Sequence, residues 1–297
     1  MDYLAILESE AIYLLREAAA AFHRPALLFS GGKDSTVLLH LARKAFYPSK
    51  IPLQLIHIDT GHNFEEVIVF RDSLAQRLNL ELKIGSVEST IAKGLAKEAA
   101  SQIKSRNAIQ SVTLMELIRE YSFDCLIGGA RRDEEKARAK ERIFSTRNEF
   151  GQWNPRQQRV EISNLYNYKL DFNEHMRCFP LSNWTEKDIW EYVIQDSIEL
   201  PLLYFSHQRP CVRFADGSLF PASPYLNNPP DSKLEFLRVR CRTVGDMLST
   251  GLIESTASNP KTVLEETLAM GTSERSLRWD DKSSETSMED RKREGYF

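Results

Sequence analysis

The chain predicts an α/β fold: a mostly parallel sheet with helices on both faces, followed by a loop-rich C-terminal region. Three observations carry this. As far as Ile127, short apolar runs alternate with segments of helical apolar spacing. The first apolar run passes through a glycine-containing turn straight into a helix-periodic segment. After Ile198, prolines and aromatics crowd residues 199–230 and the periodicity stops.

Leu4, Leu7, Ala11, Leu14, Ala18 and Phe22 recur at helical spacing, so the chain opens with an amphipathic helix that Pro25 ends. Ala26–Phe29 reads as a buried strand and Ser30–Ser35 as a turn. Thr36–Phe46 reads as a helix with Val37, Leu38, Leu41, Ala42 and Ala45 on one face. Pro52–Ile58 is a second strand. Asn63 and Glu66 resemble a capping box for a helix that turns Val67, Phe70, Leu74 and Leu78 inward. Glu81–Ile84 is a third strand, a helix runs around Leu114, Leu117 and Tyr121, and Phe123–Ile127 is a fourth strand. Strands alternating with helices require crossover connections and hence a parallel sheet. Thr185 and Asp188 cap a later helix carrying Ile189, Tyr192 and Val193. Residues 199–230 read as ordered loops, and Asp280–Phe297 as a mobile charged tail. The organisation expected is a nucleotide-binding domain over 1–198 and a segment for substrate and partner contacts over 199–297.

The composition of the 297 residues is that of a globular protein, 42% hydrophobic and 27% charged. A net charge of -3 gives no steering toward nucleic acid or an anionic membrane, so any anion has to be held by a local cationic pocket. Of the four cysteines, Cys125, Cys178, Cys211 and Cys241, none forms a C-x-x-C pair, and reduced, buried thiols are expected. Neither a signal peptide nor a membrane span is evident, so a cytoplasmic location is expected.

Phe29-Ser30-Gly31-Gly32-Lys33-Asp34-Ser35 carries the strongest chemical signal. Between a strand and a helix, glycines let the backbone turn and approach a ligand. Successive N–H groups and the helix N-terminus then face an anion. Ser30, Ser35 and Thr36 add hydroxyls and Lys33 a point charge. The loop suits a pyrophosphate group. It is no Walker A loop, since Leu27 and Asp34 stand where that motif needs Gly and Ser or Thr. Asp59, at the end of the second strand, could bind a ribose hydroxyl or magnesium, or merely close a turn. His57 and His62 invite a metal reading, but no further ligand completes a set, and no protein metal site is expected. Gly128 and Gly129 end the fourth strand at the same edge. Arg131, Arg132, Arg138 and Arg142 follow, each able to offer a planar fork to an oxyanion. Interleaved acids make a salt-bridged helix the competing reading for 134–142.

The loop resembles that of the ATP pyrophosphatase superfamily. The wider chain resembles the family of small, catalytic subunits of bacterial sulfate adenylyltransferase. The residues that carry this are His40–Pro48, Gly128–Lys136, Phe179–Trp190, Thr272–Arg275 and Gly295–Phe297. Gly31 and Leu277 depart from the commoner family residues, which are bulkier and Gly respectively. The resemblance implies adenylyl transfer from ATP to sulfate, for sulfate assimilation and cysteine biosynthesis. Ser30–Ser35 would hold pyrophosphate, with Lys33, Arg131 and Arg132 as the catalytic cations, the two arginines on sulfate or the α-phosphate. Ile56 backbone, Asp59, Gly128 and Gly129 would hold the nucleotide. Magnesium is implied with ATP. So is a GTPase large subunit as partner in a heterodimer, docking on the C-terminal third with its Arg238–Arg242 run. Two rival readings stand beside this one. A phosphosulfate reductase would need a thiolate, for which Cys241 among its arginines is the candidate. A non-catalytic nucleotide sensor would need none of these cations.

Overall fold

The computed structural model describes residues 2–98, 106–226 and 232–271. Thr272–Arg275, Leu277, the Asp280–Phe297 tail and its terminal Gly295–Phe297 lie outside them. In chain order the elements are α1 (Tyr3–Ala21), β1 (Pro25–Leu28), α2 (Lys33–Phe46), β2 (Gln54–Asp59), α3 (Glu65–Arg77), β3 (Leu82–Ser86), α4 (Val87–Ala92), α5 (Asn107–Tyr121), β4 (Cys125–Ile127), α6 (Lys136–Ala139), β5 (Phe144–Arg147), β6 (His175–Cys178), α7 (Glu186–Gln195), β7 (His207–Arg213), β8 (Leu219–Pro221), β9 (Lys233–Cys241), β10 (Leu252–Glu254) and α8 (Pro260–Met270).

The first six strands form one sheet in the order β3-β2-β1-β4-β6-β5, parallel except for β5. Strand alternation sorts its side chains to two faces. Leu27, Cys125 and Ile127 join the core beneath α1, α2 and α7, whereas Ala26, Ile56 and Leu126 pack under α5. Helices therefore cover both faces, as the sequence predicts. The stripe Leu4, Leu7, Ala11, Leu14, Leu15 and Ala18 is the buried side of α1. Each fully buried leucine there contributes about 1.5–3 kcal/mol of transfer free energy. The capping box at α7 is present: Thr185 Oγ1 accepts the Asp188 N–H, and Asp188 accepts the Thr185 N–H at 2.8 Å.

Local expectations fail at two places. No side chain caps α3, which begins behind Phe64. Asn63 Oδ1 instead accepts the N–H and hydroxyl of Thr60, tying the turn that leaves β2. The C-terminal region contains strands as well as loops, for β10, β8, β7 and β9 close into a small barrel. Arg240 in β9 and Arg242 just after it are buried against Glu266 and Glu186, while Arg238 is exposed. Among the described residues no helix is long and apolar enough to cross a membrane.

Candidate active site

From β1 the chain moves to β2 and β3 on one side and later to β4 and β6 on the other. The connections leaving β1 and β4 therefore diverge, and a crevice opens at their C-terminal ends. A cavity of about 240 Å³ lies there. It is lined by Ser30, Gly32, Lys33, Asp34 and Ser35 of the loop, by Ile56 of β2, and by Gly128 and Gly129 after β4.

The loop is stapled from within. Ser35 Oγ donates to the Gly32 carbonyl at 3.0 Å and lies 3.1 Å from Ser30 Oγ, and Thr36 Oγ1 donates to the same carbonyl at 2.8 Å. These hydroxyls shape the turn rather than standing unengaged for a ligand. Gly31 has φ +76°, and a Cβ there would sit 2.7 Å from Val67 Cγ1. It forms the turn and is not part of the cavity lining. Gly129 lies against the first turn of α2, where a Cβ would meet the Asp34 carbonyl carbon at 3.1 Å and Ser35 N at 3.2 Å.

Charge is organised around two carboxylates. Asp34 accepts Lys33 Nζ at 2.9 Å and Arg131 Nε at 2.7 Å. Glu134 accepts the Arg131 N–H at 3.0 Å and pairs with Arg138 Nη1 at 3.2 Å. Lys33 and Arg131 are fully buried. The sequence Lys33–Asp34–Arg131–Glu134–Arg138 thus alternates in sign from the loop to the residues after β4, with Asp133 also 3.4 Å from Arg131. Each of these cations has a carboxylate within reach.

Several expected site residues stand elsewhere. Arg132 points out of the cavity: Nη1 donates to Asn183 Oδ1 at 2.6 Å and Nη2 to the Glu141 carbonyl at 3.3 Å. Arg131 lies beneath the loop, committed to Asp34, and does not line the cavity. Asp59 is taken up by the turn after β2, accepting the Gly61 N–H at 2.8 Å, and is also absent from the lining. His57 does line it. Among the described residues there is no group of three or more His, Cys, Asp or Glu that could hold a metal ion. Burial, followed by the nearby Arg71 charge, pushes the His57 imidazole down to about 4, and Nδ1 lies 2.9 Å from the Phe29 carbonyl.

The second wall escaped the sequence reading. Tyr204 and Thr243–Asp246 reach the cavity from the C-terminal region. The cysteines do not: all four are buried. Burial drives the Cys241 thiol up to about 12 and those of Cys125 and Cys178 well above the usual thiol range. The Cys211 thiol is raised by burial too, and with no cysteine lining the cavity the reductase reading has no nucleophile at the site.

A phosphate loop facing a glycine pair at a sheet switch point defines a nucleotide-binding α/β protein. The chain belongs to the phosphoadenosine phosphosulfate reductase domain family, whose model matches residues 24–252, and within it to the sulfate adenylyltransferase subunit 2 group. Sulfate adenylyltransferase subunit 2 of Mycobacterium sp. (strain JLS) is 51% identical, the match covering 100% of this chain and 95% of that protein. Its namesake from Mycobacterium tuberculosis (strain ATCC 25618 / H37Rv) has the same identity and coverage. Among solved structures, phosphoadenylyl-sulfate reductase from Candida auris aligns with a TM-score of 0.45 and 17% identity, over 68% of this chain and 91% of that one.

Proposed function

We propose that the chain transfers AMP from ATP to sulfate, giving adenosine 5′-phosphosulfate and pyrophosphate. A sulfate oxygen attacks the α-phosphorus, a P–O bond to sulfate forms, and the bond to the departing pyrophosphate breaks. Sulfate is already ionised, so no general base is needed. Catalysis then rests on positioning and charge neutralisation. The observation that carries the reading is that the Ser30–Ser35 loop and Gly128–Gly129 open into one cavity edged by the alternating charges that begin at Lys33. The full-length likeness to sulfate adenylyltransferase subunit 2 supports sulfate as the acceptor.

In this reading the loop holds the leaving pyrophosphate, and Ile56 and the glycines flank the nucleoside. Magnesium arrives with the triphosphate. Such an ion keeps several waters and would be held chiefly by the phosphate oxygens, since both Asp34 oxygens are taken by Lys33 and Arg131. Residues 1–198 carry the nucleotide, and residues 199–297 add the Thr243–Asp246 wall and contacts to a GTPase large subunit. Leu234 and Phe236, both exposed on β9, support placing that partner on the C-terminal third. The partner is needed because adenylyl sulfate formation is uphill. In this reading the protein works in the cytoplasm, in a heterodimer serving sulfate assimilation. The test is pyrophosphate release from ATP with and without sulfate. Sulfate-dependent release is expected; release indifferent to sulfate, or none at all with the partner present, sinks the reading.

A further inference from the structure

We infer that Arg138 holds the attacking oxyanion. The inference rests on the adenylyl-transfer reading and names the sulfate subsite within it. Of Arg131, Arg132, Arg138 and Arg142, only Arg138 lines the cavity. Arg131 is committed beneath the loop to Asp34, and Arg132 is turned outward onto Asn183.

Arg138 is held but not satisfied. Glu134 takes one corner of the guanidinium, Nη1 to Oε2 at 3.2 Å, with side chains 12% and 8% exposed. Nε is buried and, among the described residues, has no hydrogen-bond partner. A buried N–H left unmade is costly and is retained where a ligand completes it. The Nε edge of a guanidinium presents parallel donors that match two oxygens of a tetrahedral oxyanion. Glu134 is itself fixed, because it caps the Arg131 N–H at 3.0 Å. The fork is therefore oriented before any ligand arrives, which lowers the ordering cost of binding.

Placement also distinguishes the nucleophile from the leaving group. The loop after β1 already offers glycine backbone, a helix N-terminus and Lys33 to a pyrophosphate. Arg138 comes from α6, beyond the β4 glycines, and so from a different segment of the cavity lining. In-line displacement requires the two anions on opposite sides of the α-phosphorus, and two separate cationic groups provide for that.

The experiment uses the full-length chain. Binding of [35S]sulfate is measured by equilibrium dialysis in the presence of α,β-methylene ATP, and pyrophosphate release is followed as sulfate and ATP are varied. Arg138→Gln should weaken sulfate binding and raise the sulfate KM by roughly ten- to a hundredfold, the scale of one charge-assisted fork. Its affinity for the ATP analogue should stay within about twofold, which also shows that it is folded. Arg138→Lys should fall between, keeping the charge without the fork. Unchanged sulfate binding in Arg138→Gln, or a parallel loss of analogue affinity, overturns the inference while leaving adenylyl transfer intact. Wild-type protein that binds sulfate through Arg138 yet releases no pyrophosphate in response to it overturns the adenylyl-transfer reading instead. Wild-type protein that binds no sulfate overturns the inference outright.

Discussion

The hydroxyl of Tyr204 accepts the backbone N–H of Lys33 at 2.8 Å, across 171 residues of sequence. Gly32, the residue before α2, has no side chain to cap the helix, and Tyr204 does so from the segment ahead of the barrel. Its ring is buried edge-on against Trp190, with centroids 5.9 Å apart. The C-terminal region thus fixes the first amide of α2, within the phosphate loop. Tyr204→Phe removes one oxygen and leaves that buried N–H unsatisfied, which costs about 1–3 kcal/mol. A fall in Tm of roughly 2–8 °C is expected for a chain of this size. The KM for ATP should rise severalfold as the loop loosens. Wild-type Tm and KM in the variant would show that the contact contributes nothing.

Lys33 joins Arg131 on the Asp34 carboxylate, so its ammonium is fixed at the loop before nucleotide arrives. Lys33→Ala deletes that charge and leaves Asp34 with Arg131 alone. If the ammonium stabilises charge developing on the leaving pyrophosphate, turnover should fall by about two to three powers of ten. Steady-state kinetics at saturating ATP and sulfate measures this. Near-normal kcat would remove Lys33 from the chemistry.

The two glycines after β4 should not be equivalent. A Cβ on Gly128 would meet the Phe179 ring at 3.5 Å and Leu28 Cδ1 at 3.8 Å, both ordinary contacts. A Cβ on Gly129 would press on backbone at 3.1 and 3.2 Å, where no flexible side chain can yield. Gly128→Ala is expected to keep stability within about 1 kcal/mol, whereas Gly129→Ala should lose about 1–3 kcal/mol by overpacking. Because the strained atoms belong to Asp34 and Ser35, nucleotide affinity should fall with it. Urea unfolding and nucleotide titration of the pair decide the matter; equal behaviour would mean that the close approach is unimportant.

What the sequence made legible follows from local signals. The apolar runs at Ala26–Phe29 and Phe123–Ile127 and the glycine turns after them are contiguous, so strands, loop and switch point could be read in order. The strands β5 and β6 could not, because Phe144–Arg147 and His175–Cys178 put Ser145, Arg147, His175 and Arg177 into the interior. Arg147 is accommodated there by its pairing with Glu141, a contact that apolar periodicity cannot reveal. The barrel was hidden by Pro210 and Pro221 inside its strands, residues that ordinarily argue against a strand. Tyr204 and Thr243–Asp246 reach the site only through tertiary folding. Arg132 looked like Arg138 in sequence, and only the turn at Arg132–Glu134 decides which of them enters the cavity.

His57 makes the fold sensitive to acid. Its imidazole is buried, and burial pushes its pKa down to about 4 from the ordinary 6.5. The unfolded chain therefore takes up a proton at a pH where the folded chain does not. Stability from the neutral ring is fully present above about pH 6.5 and is lost as pH falls toward about 4. At pH 5 the loss from this one residue amounts to about 2 kcal/mol, from the two pKa values and 1.36 kcal/mol per unit. His175, His40 and His207 are shifted in the same direction and add to the total. A comparison with His57→Gln isolates the His57 share. The substitution removes the hydrogen-bonding ring beside the Phe29 carbonyl, so the variant starts less stable at pH 7.5. Between pH 7.5 and pH 5, however, it should lose about 2 kcal/mol less than wild type in urea unfolding. Parallel pH profiles for the two proteins would mean that the ring titrates normally and that its burial is not what the geometry implies.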